Sequence, residues 1–143
     1  MDESGALPDK LKEIIAEFSA APKSLRLPLL LEYAGKLPPL PADMQGTLER
    51  VHECQTPLFL RADLDDQGAV RLHFDAPPEA PTTRGFASIV SAGLDGSELS
   101  EALATPEDFY EQMGLAELIS PLRLRGLGSI VARVKRQLRE AAS

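Results

Sequence analysis

Cys54 is the only cysteine among 143 residues. It lies in the run Val51-His52-Glu53-Cys54-Gln55-Thr56-Pro57-Leu58-Phe59, between two segments that read as β-strands. A thiol at a strand-to-strand turn is expected to be exposed on a rigid base. Lacking a second cysteine, it closes no internal disulfide, and it offers a metal one soft ligand. The chemistry open to it is nucleophilic attack or the carriage of sulfur, in both cases as the thiolate. Against this stands the common fate of a lone cysteine, that of a small buried hydrophobe. The polar neighbours His52, Glu53, Gln55 and Thr56 favour a turn over a core position.

Other chemistries find less support. A cysteine hydrolase needs a base and an orienting group beside the nucleophile. His52 is two residues from Cys54, a spacing that shares a face in a strand but not across a turn. His52 and His73 with one cysteine lack zinc-finger spacing, and a mixed site of Cys54, His52 and an acid reads as local coincidence. No glycine-rich phosphate loop or dinucleotide fingerprint is present, and Gly126-x-Gly128 falls inside a helical pattern. No metal is expected.

The elements that position Cys54 follow from periodicity. Residues 1–7 read as a frayed tail. Leu11, Ile14, Ile15 and Phe18 recur at helical spacing after Pro8, and Pro22 breaks that helix. A second helix is expected over 24–36, with Leu27, Leu30, Leu31 and Ala34 as its packing face and Pro28 tolerated only in its first turn. Leu37-Pro38-Pro39-Leu40-Pro41 forces an extended connection, read as a stiff linker rather than a polyproline ligand. Residues 47–51 form a weak strand. Leu58, Leu60, Ala62 and Leu64 alternate with Phe59, Arg61 and Asp63, and beyond the turn Asp65-Asp66-Gln67-Gly68 Val70, Leu72 and Phe74 alternate with Arg71, His73 and Asp75. A helix with Phe86, Ile89 and Val90 on one face is expected from about 82 to 93, and a short one after Ser97. Thr105-Pro106-Glu107-Asp108 has the form of a helix start. The last helix opens at Ser120-Pro121 and carries the stripe Leu124, Leu127, Ile130, Val131, Val134 and Leu138, with Arg133, Lys135, Arg136 and Arg139 outside. Segregated strands and helices predict an α+β domain: a small three-stranded antiparallel sheet with helices packed on one face.

Composition sets the outer limits. The length suits one domain able to bury a core without disulfides. A net charge of -7 argues against nucleic acid, whose phosphates demand a basic face. No apolar run is long enough for a membrane span. The acidic start Met1-Asp2-Glu3-Ser4-Gly5 lacks the features of a signal peptide. A lone cysteine without an export signal points to the cytoplasm.

Four pieces, in order, resemble the SufE family of sulfur-acceptor proteins, including the related CsdE proteins, over about residues 8–141. Leu37-Pro38 with Leu40-Pro41 is similar to the family's proline-rich turn. Residues 51–59 are similar to its cysteine motif, Arg84-Gly85 to its Lys/Arg-Gly pair, and Leu118-Ile119-Ser120-Pro121-Leu122-Arg123-Leu124-Arg125-Gly126-Leu127 to its closing Leu-x-Pro-x-Arg-x-x-Gly-Leu signature. The resemblance implies that Cys54 takes persulfide sulfur from a cysteine desulfurase of the SufS or CsdA type and relays it to an iron–sulfur scaffold, stimulating the desulfurase. The protein is then a carrier and activator, not a stand-alone enzyme. It holds no cofactor; the pyridoxal phosphate belongs to the partner. The resemblance also suggests a sheltered resting thiol. Arg123 is the candidate cation beside the thiolate or contact to the desulfurase. Gln55, Glu53, His52 and Arg84 are supporting candidates, with an ordinary exposed basic residue as the default for Arg84. Glu53 replaces the usual glycine, so its carboxylate should raise the thiol pKa. Phe59 replaces the commoner tryptophan. The Glu53 departure also supports a second reading, a binding or regulatory protein with an unreactive Cys54.

Overall fold

The structure, a computed structural model, describes residues 7–143. The tail expected at 1–7 lies outside the described residues except for Leu7, which is buried and belongs to the core.

The chain forms α1 (Asp9–Ala20), α2 (Lys23–Ala34), β1 (Glu49–Arg50), β2 (Phe59–Leu64), β3 (Val70–Asp75), α3 (Pro81–Leu94), α4 (Leu99–Leu103) and α5 (Pro121–Ala142), with single 3-10 turns at Ala42–Met44 and Phe109–Glu111. The strands make one antiparallel sheet in the order β1-β2-β3. Leu60 pairs with Phe74 and Ala62 with Leu72, so the alternating apolar residues share one buried face. The other face shows Arg61, Arg71 and Asp75 to solvent. α5 packs on β2 and α3 on β3, while α1 and α2 cover the far side of α3. This is the expected α+β arrangement.

α3 is therefore enclosed, and almost all of its residues from Thr83 to Leu94 are buried. Close approach to α2 depends on Gly85, where a Cβ would stand 2.4 Å from the Leu30 carbonyl oxygen. The adjacent Arg84 donates from Nε to the Ala34 carbonyl at 2.9 Å and from Nη1 to the Ala76 carbonyl. The Arg84-Gly85 pair thus joins the end of α2, the start of α3 and the chain leaving β3.

α5 buries Leu127, Ile130, Val131, Val134 and Leu138, the stripe read from the sequence, with Leu124 partly covered. Each fully buried aliphatic side chain contributes roughly 1.5–3 kcal/mol. The Ser120 side chain caps the helix by accepting from the Arg123 amide at 3.3 Å.

Three local expectations are corrected. Pro28 is the sixth residue of α2, not in its first turn, and the helix continues past it with one backbone donor fewer. Leu31 is 45% exposed, and Tyr33 fills the core position instead. No α-helix starts at Thr105; only the 3-10 turn Phe109–Glu111 lies between it and α5. The buried Thr105 hydroxyl donates back to the Glu101 carbonyl at 3.1 Å, closing α4. Phe109, Met113 and Leu115 are all buried, a spacing of four then two that does not fall on one helix face, and Gly114 reverses the chain at φ 72°. The Leu37–Pro41 connection behaves as a linker, with Leu37 in the core and its prolines outside.

Candidate functional site

β1 and β2 are joined by a loop over residues 51–58. Its base is closed by the Val51 amide donating to the Leu58 carbonyl at 2.8 Å, with both side chains fully buried. Above that base the Cys54 amide donates to the Val51 carbonyl at 3.2 Å, turning the chain. Polar residues and Pro57 occupy the tip because its backbone stays near water: His52, Glu53, Gln55 and Pro57 are exposed.

Cys54 is in the expected turn but is not exposed. It is only 6% accessible, and its side chain points inward onto α5. The Sγ–H donates to the Gly126 carbonyl at 3.6 Å. A Cβ at position 126 would lie 3.4 Å from Sγ and 3.4 Å from the Glu53 carbonyl oxygen. Glycine as the sixth residue of α5 therefore leaves the room into which the loop folds. Sequence reasoning about the turn missed this because loop polarity reports on the backbone and the neighbours, not on where one small side chain points.

Cys54 sits in the wall of a cleft of about 190 Å³. One side is the loop, with Glu53, Gln55 and Thr56. The second is the start of α3, with Glu79, Pro81, Thr82 and Thr83, and the third is the first turns of α5, with Leu122, Arg123 and Gly126. α3 has no side-chain cap, so its first free amides, the positive end of the helix, border the cleft. The Thr56 hydroxyl oxygen is buried without a protein partner. Leu122, at the lip, is 49% exposed.

Electrostatics favour the protonated thiol. Burial pushes Cys54 up to about 11; the Glu53 carboxylate adds to the rise, and Arg133 opposes it. The rise expected from Glu53 is therefore present but secondary to desolvation. Glu53 itself is held below the usual carboxylate range, chiefly by Arg133. Arg133 donates from Nη2 and Nε to Glu53 Oε1 at 2.7 and 3.2 Å, and from Nη1 to Glu49.

Of the residues named from the sequence, Cys54, Glu53, Gln55 and Arg123 meet at the cleft. Arg123 lines it, but the guanidinium whose field reaches the thiol is that of Arg133. His52 stands exposed on the outside of the turn, and no histidine lines the cleft among the described residues. His73 lies on β3 beside the proline linker. Arg84 is neither exposed nor at the cleft; its guanidinium is spent on backbone carbonyls. Arg133 was read only as part of the outer basic face of the last helix. Its signal was its position seven residues beyond Gly126, two turns along the same helix face. Among the described residues, no three His, Cys, Asp or Glu side chains gather as a metal would need, and no helix is long and apolar enough to cross a membrane.

The chain is similar to known proteins in sequence and in fold. It is 54% identical over 142 residues to an uncharacterized SufE-like protein of Mycobacterium tuberculosis, covering 99% of each chain. It is 31% identical to SufE-like protein 1, chloroplastic/mitochondrial, of Arabidopsis thaliana, over 85% of this chain and 32% of that one. A solution structure of a hypothetical protein from Thermus thermophilus superposes with a TM-score of 0.86 at 47% identity, covering 95% of this chain and 98% of that one. The family model for SufE, the Fe-S metabolism associated domain, matches residues 12–138, and the chain belongs to that family.

Proposed function

We propose that Cys54 accepts sulfur from a pyridoxal-phosphate-dependent cysteine desulfurase and relays it to iron–sulfur cluster assembly in the cytoplasm. The observation that carries this reading is the single cysteine of a SufE-family chain, folded inward at the wall of a cleft large enough for more than a thiol. The Cys54 thiolate attacks the outer sulfur of the donor persulfide. A new S–S bond forms at Cys54, the donor's S–S bond breaks, and the donor cysteine leaves as a thiolate, with no net oxidation. With no neighbouring cysteine, the persulfide on Cys54 cannot collapse into an internal disulfide. Shelter in the cleft protects it from stray thiols. The α3 amino end and Arg123 favour the anionic outer sulfur. The chain acts as carrier and activator rather than as an enzyme with its own turnover, and the pyridoxal phosphate stays with the partner.

The test is intact-protein mass spectrometry after incubation with a cysteine desulfurase from the same organism and free cysteine, without reductant. The expected result is a gain of one sulfur on the wild type and none on Cys54→Ser. A gain retained in Cys54→Ser overturns the reading. A second reading, a regulatory protein with an inert Cys54, is favoured by the burial and raised pKa of the thiol. It predicts no mass gain and desulfurase binding that Cys54→Ser leaves unchanged.

A further inference from the structure

The tip of the cysteine loop is held to α5 at two points. One is the contact of Cys54 and the Glu53 carbonyl with Gly126; the other is the Glu53 side chain on Arg133. The first is weak in polar terms, a single thiol hydrogen bond at 3.6 Å. The second is a charge-assisted fork in which two nitrogens of one guanidinium share Glu53 Oε1. Arg133 is itself immobilised: its side chain is 20% exposed, and its third nitrogen grips Glu49 of β1. Glu49 is in turn held by Arg136 and, at 3.3 Å, by Gln137. One arm of the fork is thus anchored to the sheet, and the other reaches the residue next to the thiol. Glycine at position 53 would supply no such tie.

We infer that Arg133 is a positioning residue that latches the Cys54 loop onto α5 through Glu53, and that breaking this ion pair frees the loop to expose the thiol. The latch governs access to Cys54 and stands independently of the sulfur-acceptor reading. A partner presenting a cation to Glu53 would compete with Arg133 and open the loop.

The experiment is the rate of Cys54 alkylation by iodoacetamide at neutral pH in the full chain, with urea unfolding confirming that each variant is native. Arg133→Gln is expected to react roughly fivefold faster at low salt, the scale of one exposed ion pair. Electrostatics alone gives the opposite sign, because the Arg133 charge favours the thiolate and its loss should slow the reaction. Arg133→Lys keeps the charge but not the fork, and should react at an intermediate rate. Arg136→Gln breaks the same network at Glu49 only and should keep the wild-type rate. Raising salt to about 0.5 M should accelerate the wild type and, to less than half that extent, Arg133→Gln. An Arg133→Gln rate at or below wild type, an undiminished salt response in that variant, or an equal acceleration in Arg136→Gln overturns the latch.

Discussion

At the scale of single residues, the protein keeps a nucleophile in its unreactive form. Cys54 is buried against a helix carbonyl and beside a carboxylate, and both arrangements favour S–H over S⁻. Its alkylation rate should therefore keep climbing with pH and level only near the raised value of about 11. The same thiol in the unfolded chain should level near about 8.5. A native plateau at the free-thiol value would contradict the burial argument. Because burial outweighs Glu53, Glu53→Gln, which keeps an oxygen for Arg133 but not the carboxylate charge, should lower the plateau only part of the way. Gly126 offers a second test. Gly126→Ala gains helix propensity of about 1 kcal/mol against a tight contact, so its stability should stay near wild type. Gly126→Val forces methyl groups toward Sγ, and should cost about 1–3 kcal/mol while speeding alkylation. Thermal melts and alkylation rates check both.

At the scale of elements, the motif at Arg84-Gly85 is a joint. A methyl group at position 85 would collide with the Leu30 backbone, so Gly85→Ala should lose about 1–3 kcal/mol by forcing α2 away from α3. Arg84→Met keeps the aliphatic stem but leaves two carbonyls without their charged donor, at a cost of about 1–3 kcal/mol. Both variants should keep the wild-type alkylation rate at Cys54 under native conditions, because neither residue touches the cleft. Urea denaturation with parallel alkylation distinguishes this joint from a role at the site. The long elements were legible from the chain. Strict alternation in β2 and β3 and the seven-residue recurrence in α5 each leave one self-consistent buried face. The segment after Thr105 misled because a capping threonine, a proline and two acids describe how a helix starts, whereas the burial of Phe109, Met113 and Leu115 required a tighter path.

At the scale of the whole molecule, titration predicts a stability curve that falls on both sides of neutrality. Glu49, Glu53, Asp65 and Glu117 are held below the usual carboxylate range, by arginine, by backbone amides at Asp65 and by Lys23 at Glu117. Their contribution is present above the unfolded carboxylate values and disappears as pH falls through the lower folded ones. On the alkaline side, Cys54 is raised by burial, and Tyr33 is raised by burial and by its hydrogen bond to Glu17. Their contribution is present below the unfolded values and is lost as pH rises through the folded ones. Thermal melts should thus show a broad neutral maximum, with an acid flank that shallows in Glu49→Gln. A midpoint that rises on acidification below about pH 4 would have the wrong sign.

The order of residues alone determined the α+β class, the two long strands, the closing helix and the turn that carries Cys54, because each rests on local periodicity or turn chemistry. Four motif pieces in order, the Leu37–Pro41 turn, residues 51–59, Arg84-Gly85 and Leu118–Leu127, also marked the family. The direction of the thiol was decided only by the tertiary structure. It depends on Gly126, distant in the chain, leaving room on α5, and on Arg133 reaching back across the sheet edge to Glu53. A side chain's burial and its nearest charge belong to the packed elements around it, and local sequence spacing does not encode them.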